Sequence, residues 1–295
     1  MEYEIFHKEF KDLIGDGKLR KIATGFQFLE GPLWDASHSR LLFSDIPANK
    51  IYQLKHERVT TFRSPSDMSN GLTFNRNHQL LACCHATSQV VMIDFNNFQE
   101  TLVSHFEGQE LNSPNDIVVK SDDSVYFTDP NYGRINNDHG ILRKKQLPFQ
   151  GVYRFSQKEG LILLANDIDA PNGLCFSCKE EKLYVNDSSN GQIFVFDVNA
   201  EGHLSNKNLF FHMTYDPSQG VPDGMKLDEL GNLYCTGPGG IWVFQSNGTP
   251  LGIIKIPEIA ANLNWGGDCW NHLYITATSS IYHIEMNVRG NQVQL

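Results

Sequence analysis

Acidic and amide side chains recur along this chain, each at the start of a short apolar stretch. The acids are Glu30 and Asp223, and the amides are Asn70, Asn115, Asn172 and Asn264. Carboxylate and amide oxygens are hard ligands, which suit Ca²⁺, Mg²⁺ or Mn²⁺ better than metals that favour thiolates. Asparagine in place of further acids limits the repulsion among ligands. If the fold gathers these anchor residues, the sequence predicts a divalent-metal site.

A simpler interpretation applies to each anchor residue taken alone. Asn-Gly and Asp-Gly pairs are common in turns, because Asn, Asp and Gly tolerate positive φ angles. Such pairs occur at Asn70, Asn172 and Asp223. Turn chemistry does not account for Glu30, which stands at the matching place in the first repeat. The recurrence, with acids in two repeats, therefore favours a shared binding function over independent turns.

A sixfold repeat explains the spacing of the anchors. They lie 40 to 57 residues apart, close to the period of about 40–50 residues that β-propeller blades show. Each repeat has three apolar pieces bounded by Gly, Asn, Asp or Ser, as in 172–176, 182–187 and 192–196. This pattern is typical of strands and turns. In a propeller the innermost strands begin at one face, so the anchors are expected to converge at one end of a central tunnel.

The ends of the chain indicate how the ring closes. Five repeats carry a candidate fourth strand, and the sixth does not. A strand-like stretch, Leu19–Thr24, precedes the first repeat, and by completing the last blade it leaves no unpaired edge at the seam. The sequence therefore predicts an all-β, six-bladed β-propeller with four-stranded blades, in which the N-terminal strand closes the last blade. Residues 19–295 are expected to form this single domain.

Two segments lie outside the repeat. Residues 1–18 are expected to form an arm or a short helix against the rim of the propeller. Four apolar residues there have helical spacing: Ile5, Phe6, Phe10 and Leu13. Residues 130–150 lengthen the third repeat. Long loops in compact domains are commonly functional covers, and a solvated loop without a role is the alternative.

The composition is that of an ordinary globular protein, with 40% hydrophobic and 20% charged residues among 295. The formal net charge of −10 disfavours a nucleic-acid partner. No uncharged apolar run reaches 18 residues and no secretory leader pattern begins the chain, so we expect no membrane partner and a cytoplasmic location. Cys175 and Cys178 are interpreted as a buried strand thiol and a turn residue, since no second pair accompanies them. Both a monomer and a homodimer stay open.

Several motifs occur in a fixed order along the chain, from about residue 20 to residue 285. They are Leu29-Glu-Gly-Pro-Leu-Trp34, Met68-Ser-Asn-Gly-Leu-Thr-Phe74, Leu111-Asn-Ser-Pro-Asn-Asp116, Tyr126-Phe-Thr-Asp-Pro-Asn-Tyr-Gly133, Ala170-Pro-Asn-Gly-Leu174, Val221-Pro-Asp-Gly-Met225 and Ala261-Asn-Leu-Asn-Trp-Gly-Gly267. Each motif alone is weakly specific, but the ordered set is specific. Together they resemble the gluconolactonase/regucalcin (senescence marker protein) family, and its bacterial gluconolactonase-like members more than the animal ones.

This resemblance implies a six-bladed propeller that binds a divalent metal in its tunnel and hydrolyses sugar lactones, other lactones or phosphoesters. The metal is expected to be Ca²⁺, with Mg²⁺, Mn²⁺ or Zn²⁺ as alternatives. By motif position the implied ligands are Glu30, Asn115, Asn172 and Asp223. Asn115 is also implied to touch the substrate, and Asp223 to act as acid and base.

The identity of the general base is open among three residues. A bound cation lowers the proton affinity of a carboxylate, so Asp129 and His85 rival Asp223 as the catalytic proton carrier, and a histidine pKa suits neutral pH. His85 begins the stretch His85-Ala-Thr-Ser-Gln89, where bacterial relatives often carry arginines, and their absence bears on whether gluconolactone itself is the substrate. Substrate contacts are expected from Asn70, Asn115, Asp116, Asn131, Tyr132 and Trp265.

We therefore expect a metal-dependent lactonase, in which the metal polarises the lactone carbonyl and an activated water attacks it. A phosphotriesterase-like hydrolase on the same metal is one alternative. A propeller that serves only as a binding scaffold is another. The sequence contains no Gly-x-Ser-x-Gly nucleophile motif, Rossmann fingerprint or P-loop, so serine-hydrolase and nucleotide-binding functions are not supported.

Overall fold

Six antiparallel sheets form the body of the protein. The structure is a computed structural model that describes residues 2–94, 98–213 and 216–292. Three elements precede the first sheet: β1 (Tyr3–Ile5), α1 (Glu9–Ile14) and β2 (Arg20–Thr24). Blades one and two consist of β3 (Leu29–Asp35), β4 (Arg40–Asp45), β5 (Lys50–Lys55) and β6 (Arg58–Arg63), then β7 (Ser69–Phe74), β8 (Leu80–Cys84), β9 (Gln89–Ile93) and β10 (Gln99–Val103).

A small hairpin and a four-residue helix interrupt the middle of the chain. The hairpin pairs β11 (His105–Phe106) with β12 (Gln109–Glu110). Blade three consists of β13 (Ile117–Val119), β14 (Val125–Asp129), β15 (Gly151–Ser156) and β16 (Gly160–Ala165), with helix α2 (Tyr132–Ile135) in its long connection. Blade four consists of β17 (Pro171–Phe176), β18 (Lys182–Asp187), β19 (Gln192–Val198) and β20 (Leu204–His212).

The last two sheets complete the ring. Blade five consists of β21 (Met225–Leu227), β22 (Leu233–Gly237), β23 (Gly240–Phe244) and β24 (Pro250–Lys255). Blade six consists of β25 (Ala260–Gly266), β26 (His272–Ala277), β27 (Ser280–Glu285) and the N-terminal β2. The innermost strands β3, β7, β13, β17, β21 and β25 each pack against the innermost strands of two neighbouring blades. The prediction of a six-bladed β-propeller is therefore confirmed.

The N-terminal strand closes the ring as predicted. β2 pairs antiparallel with β27, placing Arg20 opposite His283 and Thr24 opposite Ser280. The segment before it does more than pack on the rim, because β1 pairs with β24 and gives blade five a fifth strand. Ile5 therefore lies in a strand, and only residues 9–14 are helical. Phe10, Leu13 and Ile14 of α1 are buried in the core between blades five and six.

The core lies between the blades because their strands are covered on both faces. β17 is buried along its whole length, as expected for a strand enclosed on both faces. Cys175 on this strand packs with Met225 and Cys235 of blade five. All six cysteines are free, with Cys178 half-buried and Cys269 exposed. Among the described residues, no helix is long and apolar enough to cross a membrane.

Glu258 joins the N-terminal strand to blade six. Its carboxylate accepts hydrogen bonds from Lys21 Nζ at 2.9 Å, from Ser279 N at 3.0 Å and from the Tyr282 hydroxyl at 2.9 Å. Partial burial alone would raise the pKa of Glu258, but these bonds, with one from Ser280, outweigh it and lower the pKa to about 2. The ionised carboxylate thus stabilises the seam of the ring.

We expect Glu258→Gln to lower the free energy of unfolding by about 1–3 kcal/mol at pH 7, the usual range for hydrogen bonds to a charged group. The folded pKa lies below the unfolded value, so this stabilisation is complete above about pH 4.5 and is lost as the pH falls towards 2. Urea unfolding at several pH values should therefore show the difference from wild type shrinking in acid. Glu4→Gln, which breaks the exposed pair with Lys255, is the matched control. A pH-independent difference would contradict the assignment.

Candidate functional site

The anchor residues of blades one to five lie at or just before the starts of the innermost strands, at one end of the tunnel. A polar side chain near the end of a second strand holds the anchor of the next blade by its backbone carbonyl. Ser44 donates to Asn70 O at 2.8 Å and Thr128 donates to Asn172 O at 2.7 Å. Asn186 donates in the same way to Asp223 O. The repeat therefore supplies the bonds that place each anchor.

The sixth anchor was assigned wrongly, because the Asn-Trp-Gly-Gly motif was taken for the start of the strand. Thr236 Oγ1 lies 3.5 Å from Ala261 O, and Gly224 N donates to the same oxygen at 2.8 Å. These bonds make Ala261 the equivalent of Asn172 and Asp223. Asn264 lies three residues further along β25, where its side chain donates to Pro32 O at 2.7 Å. The ring of anchors thus has five polar members.

Amide groups join the anchors of blades two, three and four into a directed hydrogen-bond chain. The Asn70 amide nitrogen donates to Asn115 Oδ1, and Asn115 Nδ2 donates to Asn172 Oδ1 at 2.9 Å. Asn172 Nδ2 then donates to Ser188 Oγ at 3.0 Å, and Ser188 donates to Pro222 O at 2.6 Å. An amide oxygen has two lone pairs, so Asn115 and Asn172 can accept these bonds and still face a cation.

The residue after each anchor forms a second layer of the tunnel. In blades one, two, four and five it is glycine, and at Gly173 an added Cβ would lie 1.9 Å from Asp223 O. The other two blades place Asp116 and Asn262 there. Asn262 Nδ2 donates to Glu30 Oε2 at 3.0 Å, which joins blade six to the site.

Three carboxylates share this end of the tunnel. Burial raises the pKa of Glu30 to about 7, with Asp116 adding to the rise, while hydrogen bonds from Gly31 and Asn262 oppose it. Burial, and then the charges of Glu30 and Asp116, raise the pKa of Asp223 well above its usual value. Burial also raises the pKa of Asp116, and Lys226 opposes that shift. The repulsion among these groups requires positive charge nearby.

Lys226 is the cation of the chain that acts on both Glu30 and Asp116. One lysine against three ionised carboxylates leaves two negative charges in excess, which equals the charge of one divalent cation. Asn70 Oδ1 and Asp116 Oδ2 are buried and have no hydrogen-bond partner among the described residues. Buried oxygen atoms without partners are costly unless a ligand, ion or water meets them. The donor set therefore fits a divalent, oxygen-seeking cation.

The candidate ligands Glu30, Asn115, Asn172 and Asp223 are thus two carboxylates and two amides around one space. Within the described ranges no group of three or more His, Cys, Asp or Glu side chains is arranged to hold a metal ion. A set completed by amide oxygens is not a site of that kind. It is the chemistry that calcium accepts and that zinc disfavours.

Residues 130–150, which we call the strap, pass over this end of the tunnel. The Tyr132 hydroxyl lies within hydrogen-bonding reach of Ser188 and Asn172, and the ring is close enough to feel the charge of Asp223. Further along, the His139 ring contacts Phe28, just before blade one, at 4.8 Å between ring centres. The strap therefore spans from blade three to blade one and brings Tyr132 to the anchors.

A buried arginine anchors the strap. Arg134 is 2% exposed, and its guanidinium donates to Asn112 O at 2.5 Å, to Lys144 O at 2.8 Å and to Leu111 O. It also pairs with Glu110 on the β11–β12 hairpin at 2.7 Å. Because a guanidinium offers five donors in a fixed plane, this one residue ties both ends of the strap to the loops of blades two and three.

We expect Arg134→Met to make the strap at least tenfold more susceptible to trypsin, which cleaves after the exposed Lys144 and Lys145. Loss of the buried bonds frees the strap to open locally without unfolding the propeller. Cleavage rates followed by mass spectrometry measure the effect, with the exposed Arg58→Met as the matched control. Equal cleavage of Arg134→Met and wild type would show that other contacts hold the strap.

His85 lies beneath the strap and is 1% exposed. Its Nδ1 is 2.7 Å from His139 O, and its Nε2 is 3.3 Å from Asn70 Nδ2. Burial lowers the pKa of His85 to about 4, so the ring is neutral at physiological pH. The structure therefore places this candidate proton carrier beside Asn70, with both ring nitrogens occupied.

Asp129 takes a different place from the other catalytic candidates. Its carboxylate accepts a hydrogen bond from Asn112 N at 2.8 Å, and burial raises its pKa to about 7. Asp45 and Asp187, at the same position of blades one and four, likewise accept from backbone groups before the innermost strand. Asp129 therefore belongs to a repeated structural brace.

Two predicted substrate contacts lie apart from the cluster or at its edge. Trp265 is buried at the other end of β25, where it packs against Tyr234 with ring centres 5.1 Å apart. Asn131 begins the strap, and its backbone N–H donates to Gln150 Oε1 at 2.7 Å. Asn70, Asn115, Asp116 and Tyr132 are with the carboxylates.

Sequence reasoning missed Asn262, Lys226, Ser188 and Arg134 as parts of the site. A signal existed for Asn262, because aligning the repeats on the ends of their second strands places it beside Asp116. Lys226 follows its anchor Asp223 by three residues, and no sequence pattern marks it as tunnel-facing. Ser188 and Arg134 lie in loops whose paths depend on the tertiary fold.

Comparison with known proteins gives consistent relatives. The sequence pattern of the family described as the SMP-30/Gluconolactonase/LRE-like region matches residues 28–279. A gluconolactonase from Zymomonas mobilis is 33% identical over 291 residues, which cover 91% of this chain and 81% of that protein. The structure of a gluconolactonase from Xanthomonas campestris superimposes with a TM-score of 0.91 at 28% identity, covering 97% of this chain and 95% of that one.

A more distant neighbour shares the fold alone. The calcium-binding protein regucalcin from Agrobacterium tumefaciens superimposes with a TM-score of 0.78 at 16% identity, covering 94% of this chain and 97% of its own. The family pattern spans blade one to blade six, and the ordered motifs lie within it. This chain belongs to the SMP-30/gluconolactonase/LRE-like family.

Proposed function

We propose that the protein is a divalent-metal-dependent lactonase that opens a sugar lactone such as gluconolactone, or a related lactone. The observation that carries the proposal is the Glu30–Asp223 carboxylate pair, buried with Asp116 beside two amide ligands and one lysine. A scaffold has no need of such mutually repelling charges. The gluconolactonases among its relatives support the substrate class, and the donor set favours Ca²⁺.

The residues that hold the cation are Glu30, Asn115, Asn172 and Asp223. A bound divalent cation supplies Lewis-acid polarisation of the lactone carbonyl and favours deprotonation of a water molecule. The chain itself supplies fixed positions for these groups, because Ser44, Thr128, Asn186 and Thr236 hold the anchor backbones. Preorganised groups of this kind need no rearrangement as charge develops on the carbonyl oxygen.

Asp223 is the proposed proton carrier. As the attacking water forms its bond to the carbonyl carbon, Asp223 accepts a proton from it. The ring C–O bond then breaks, and the same proton passes to the released alkoxide oxygen, so the product is a hydroxy acid. The raised pKa of Asp223, caused by burial and then by Glu30 and Asp116, favours its protonated form between these two transfers.

Tyr132 and the amides are proposed to orient the substrate. Burial raises the pKa of Tyr132 above its usual value, so its hydroxyl stays protonated and can donate to a substrate oxygen. Asn70 Oδ1 has no partner among the described residues and can accept from a substrate hydroxyl. The strap above these groups limits the access of bulk water.

A panel of lactones tests the proposal. Purified protein is loaded with Ca²⁺, Mg²⁺, Mn²⁺ or Zn²⁺ and assayed with sugar, aliphatic and aromatic lactones and a phosphotriester, using a pH indicator, with and without a chelator. We expect hydrolysis of at least one sugar lactone that the chelator abolishes and Ca²⁺ restores. Chelator-insensitive turnover would refute the metal dependence. Turnover of the phosphotriester alone would assign the other hydrolase activity, and metal binding without any turnover would leave a binding scaffold.

A further inference from the structure

His85 connects the strap to the amide chain of the tunnel. A backbone carbonyl can only accept a hydrogen bond, so the 2.7 Å contact between His85 Nδ1 and His139 O requires the proton on Nδ1. The buried ring is neutral at physiological pH, since burial lowers its pKa to about 4. Nε2 therefore carries a lone pair, and the hydrogen-bond partner that it meets must be a donor.

That donor is the side-chain amide of Asn70. Asn70 Nδ2 lies 3.3 Å from His85 Nε2 and also donates to Asn115 Oδ1. Both hydrogens of this amide group are thus used, one on each side. The amide of Asn70 cannot flip without placing its oxygen against the lone pairs of His85 and Asn115. The tautomer of His85 therefore fixes which way the Asn70 amide points.

The same order continues around the ring. Asn115 accepts from Asn70 and donates to Asn172, which in turn donates to Ser188. Each amide thus accepts from the blade before it and donates to the blade after it. Reversing the first member would oppose every later bond, because each link needs a donor facing an acceptor. His85 stands at the end of the chain that sets its direction.

The backbone beneath the strap is built for this contact. Gly133 lies so close to blade two that an added Cβ would be 2.7 Å from the Cβ of His85 and 2.8 Å from that of Ser113. Gly140 packs with equal closeness on the carbonyl of Gly133. These two glycines let the strap fold back until the carbonyl of residue 139 reaches the imidazole. The strap, the imidazole and the amides form one connected unit.

The geometry points to His85 as a positioning residue, which uses the backbone carbonyl of the strap to orient the amides that face cation and substrate. This inference rests on the proposed function where activity is the readout, but the tautomer and cation binding can be measured without any turnover. It differs from a proton-carrier role, since both ring nitrogens are engaged and neither is directed at the carboxylates.

Two substitutions separate the roles. Gln at position 85 can accept from Asn70 with its oxygen and donate to His139 O with its nitrogen, so His85→Gln keeps the order of donors and acceptors without a titratable ring. His85→Leu removes both bonds. We expect His85→Gln to keep Ca²⁺ affinity and kcat/KM within about threefold of wild type, a threefold change being about 0.65 kcal/mol. We expect His85→Leu to weaken Ca²⁺ binding at least tenfold and to raise KM.

Isothermal titration with Ca²⁺ and initial rates with a sugar lactone provide these values, and thermal melting checks that each variant folds. The exposed His78→Leu in the same blade is the matched control. Loss of kcat by more than a hundredfold in His85→Gln with unchanged Ca²⁺ affinity would make His85 the proton carrier and overturn the inference. Wild-type behaviour of His85→Leu would overturn it equally.

A spectroscopic readout does not depend on turnover or on metal. Two-bond ¹H–¹⁵N correlation spectra of protein labelled with ¹⁵N-histidine distinguish the two neutral tautomers, and His85→Gln identifies the signal. We expect the Nδ1–H form, unchanged from pH 8 to pH 5. The Nε2–H form, or a ring that protonates in this range, would refute the inference even if the protein proved to hydrolyse no lactone.

Discussion

Asp223→Asn lowers kcat/KM for lactone hydrolysis by about 10²–10⁴-fold, the usual range for loss of a positioned acid–base group, and Glu30→Gln lowers it at least as far. Asp223 is both a proposed ligand and the proposed proton carrier, whereas Glu30 is a ligand alone. Initial rates over a range of Ca²⁺ concentrations measure the effect. Adding Ca²⁺ should therefore recover part of the activity of Glu30→Gln and none of that of Asp223→Asn.

The loss of activity in these variants should not come from unfolding. The three carboxylates repel one another in the metal-free protein, and an amide of the same shape removes one charge from the cluster. We therefore expect both variants, without metal, to melt at or above the temperature of metal-free wild type. Asp197→Asn, which removes an exposed carboxylate paired with Lys182, is the matched control for activity. Wild-type turnover in either tunnel variant would refute the site.

Asp129→Asn provides a contrast within the same sequence motif. Its carboxylate braces the backbone of residue 112, as Asp45 and Asp187 brace theirs in other blades. The variant should therefore lose stability and keep its Ca²⁺ affinity. Complete loss of turnover with intact folding and cation binding would instead return Asp129 to the list of proton carriers.

Ca²⁺ should stabilise the folded protein strongly. A ligand that binds only the native state at one hundred times its dissociation constant contributes about 2.7 kcal/mol. For a domain of this size that corresponds to a rise in Tm of roughly 5–10 °C. The physical reason is the excess of two negative charges left after Lys226 is counted. Differential scanning fluorimetry against Ca²⁺ concentration, starting from chelated protein, measures the shift.

Two variants make this measurement specific to the tunnel. Glu30→Gln should lose most of the shift, because it removes one ligand and one negative charge. Lys226→Met should retain or increase it, since the lysine competes with the cation for Glu30 and Asp116. A Ca²⁺ shift that survives in Glu30→Gln at wild-type size would place the cation elsewhere.

The architecture followed from sequence because a propeller writes the same grammar six times. Strand pieces, turn residues and the spare strand at Leu19–Thr24 agree with one another, so the blade count and the closure by β2 were predictable. Glu30 and Asp223 stood out for the same reason, as acids at a repeated position. The fifth strand of blade five was not predictable, since β1 has only three residues and pairs with a strand about 250 residues away.

The parts of the site that sequence did not reveal depend on register and on loop paths. Asn264 was chosen over Ala261 because the sixth repeat lacks the Asn-Gly or Asp-Gly signal, and only the bonds from Thr236 and Gly224 locate the true anchor. The ionisation state of His85 depends on its burial beneath the strap, which lies more than forty residues away in sequence. Tertiary contacts alone fix both features.

Closure of the ring by β2 also sets when the site can exist. Thr24 and Ser280, which face each other at the seam, are separated by 256 residues. Asn262 and Glu30, which meet in the tunnel, are separated by 232. A growing chain can form the blades one after another from local contacts. The carboxylates of blades one and five are brought face to face only when the final blade docks, so the most repulsive contact of the molecule forms last, when the rest of the ring is in place to hold it.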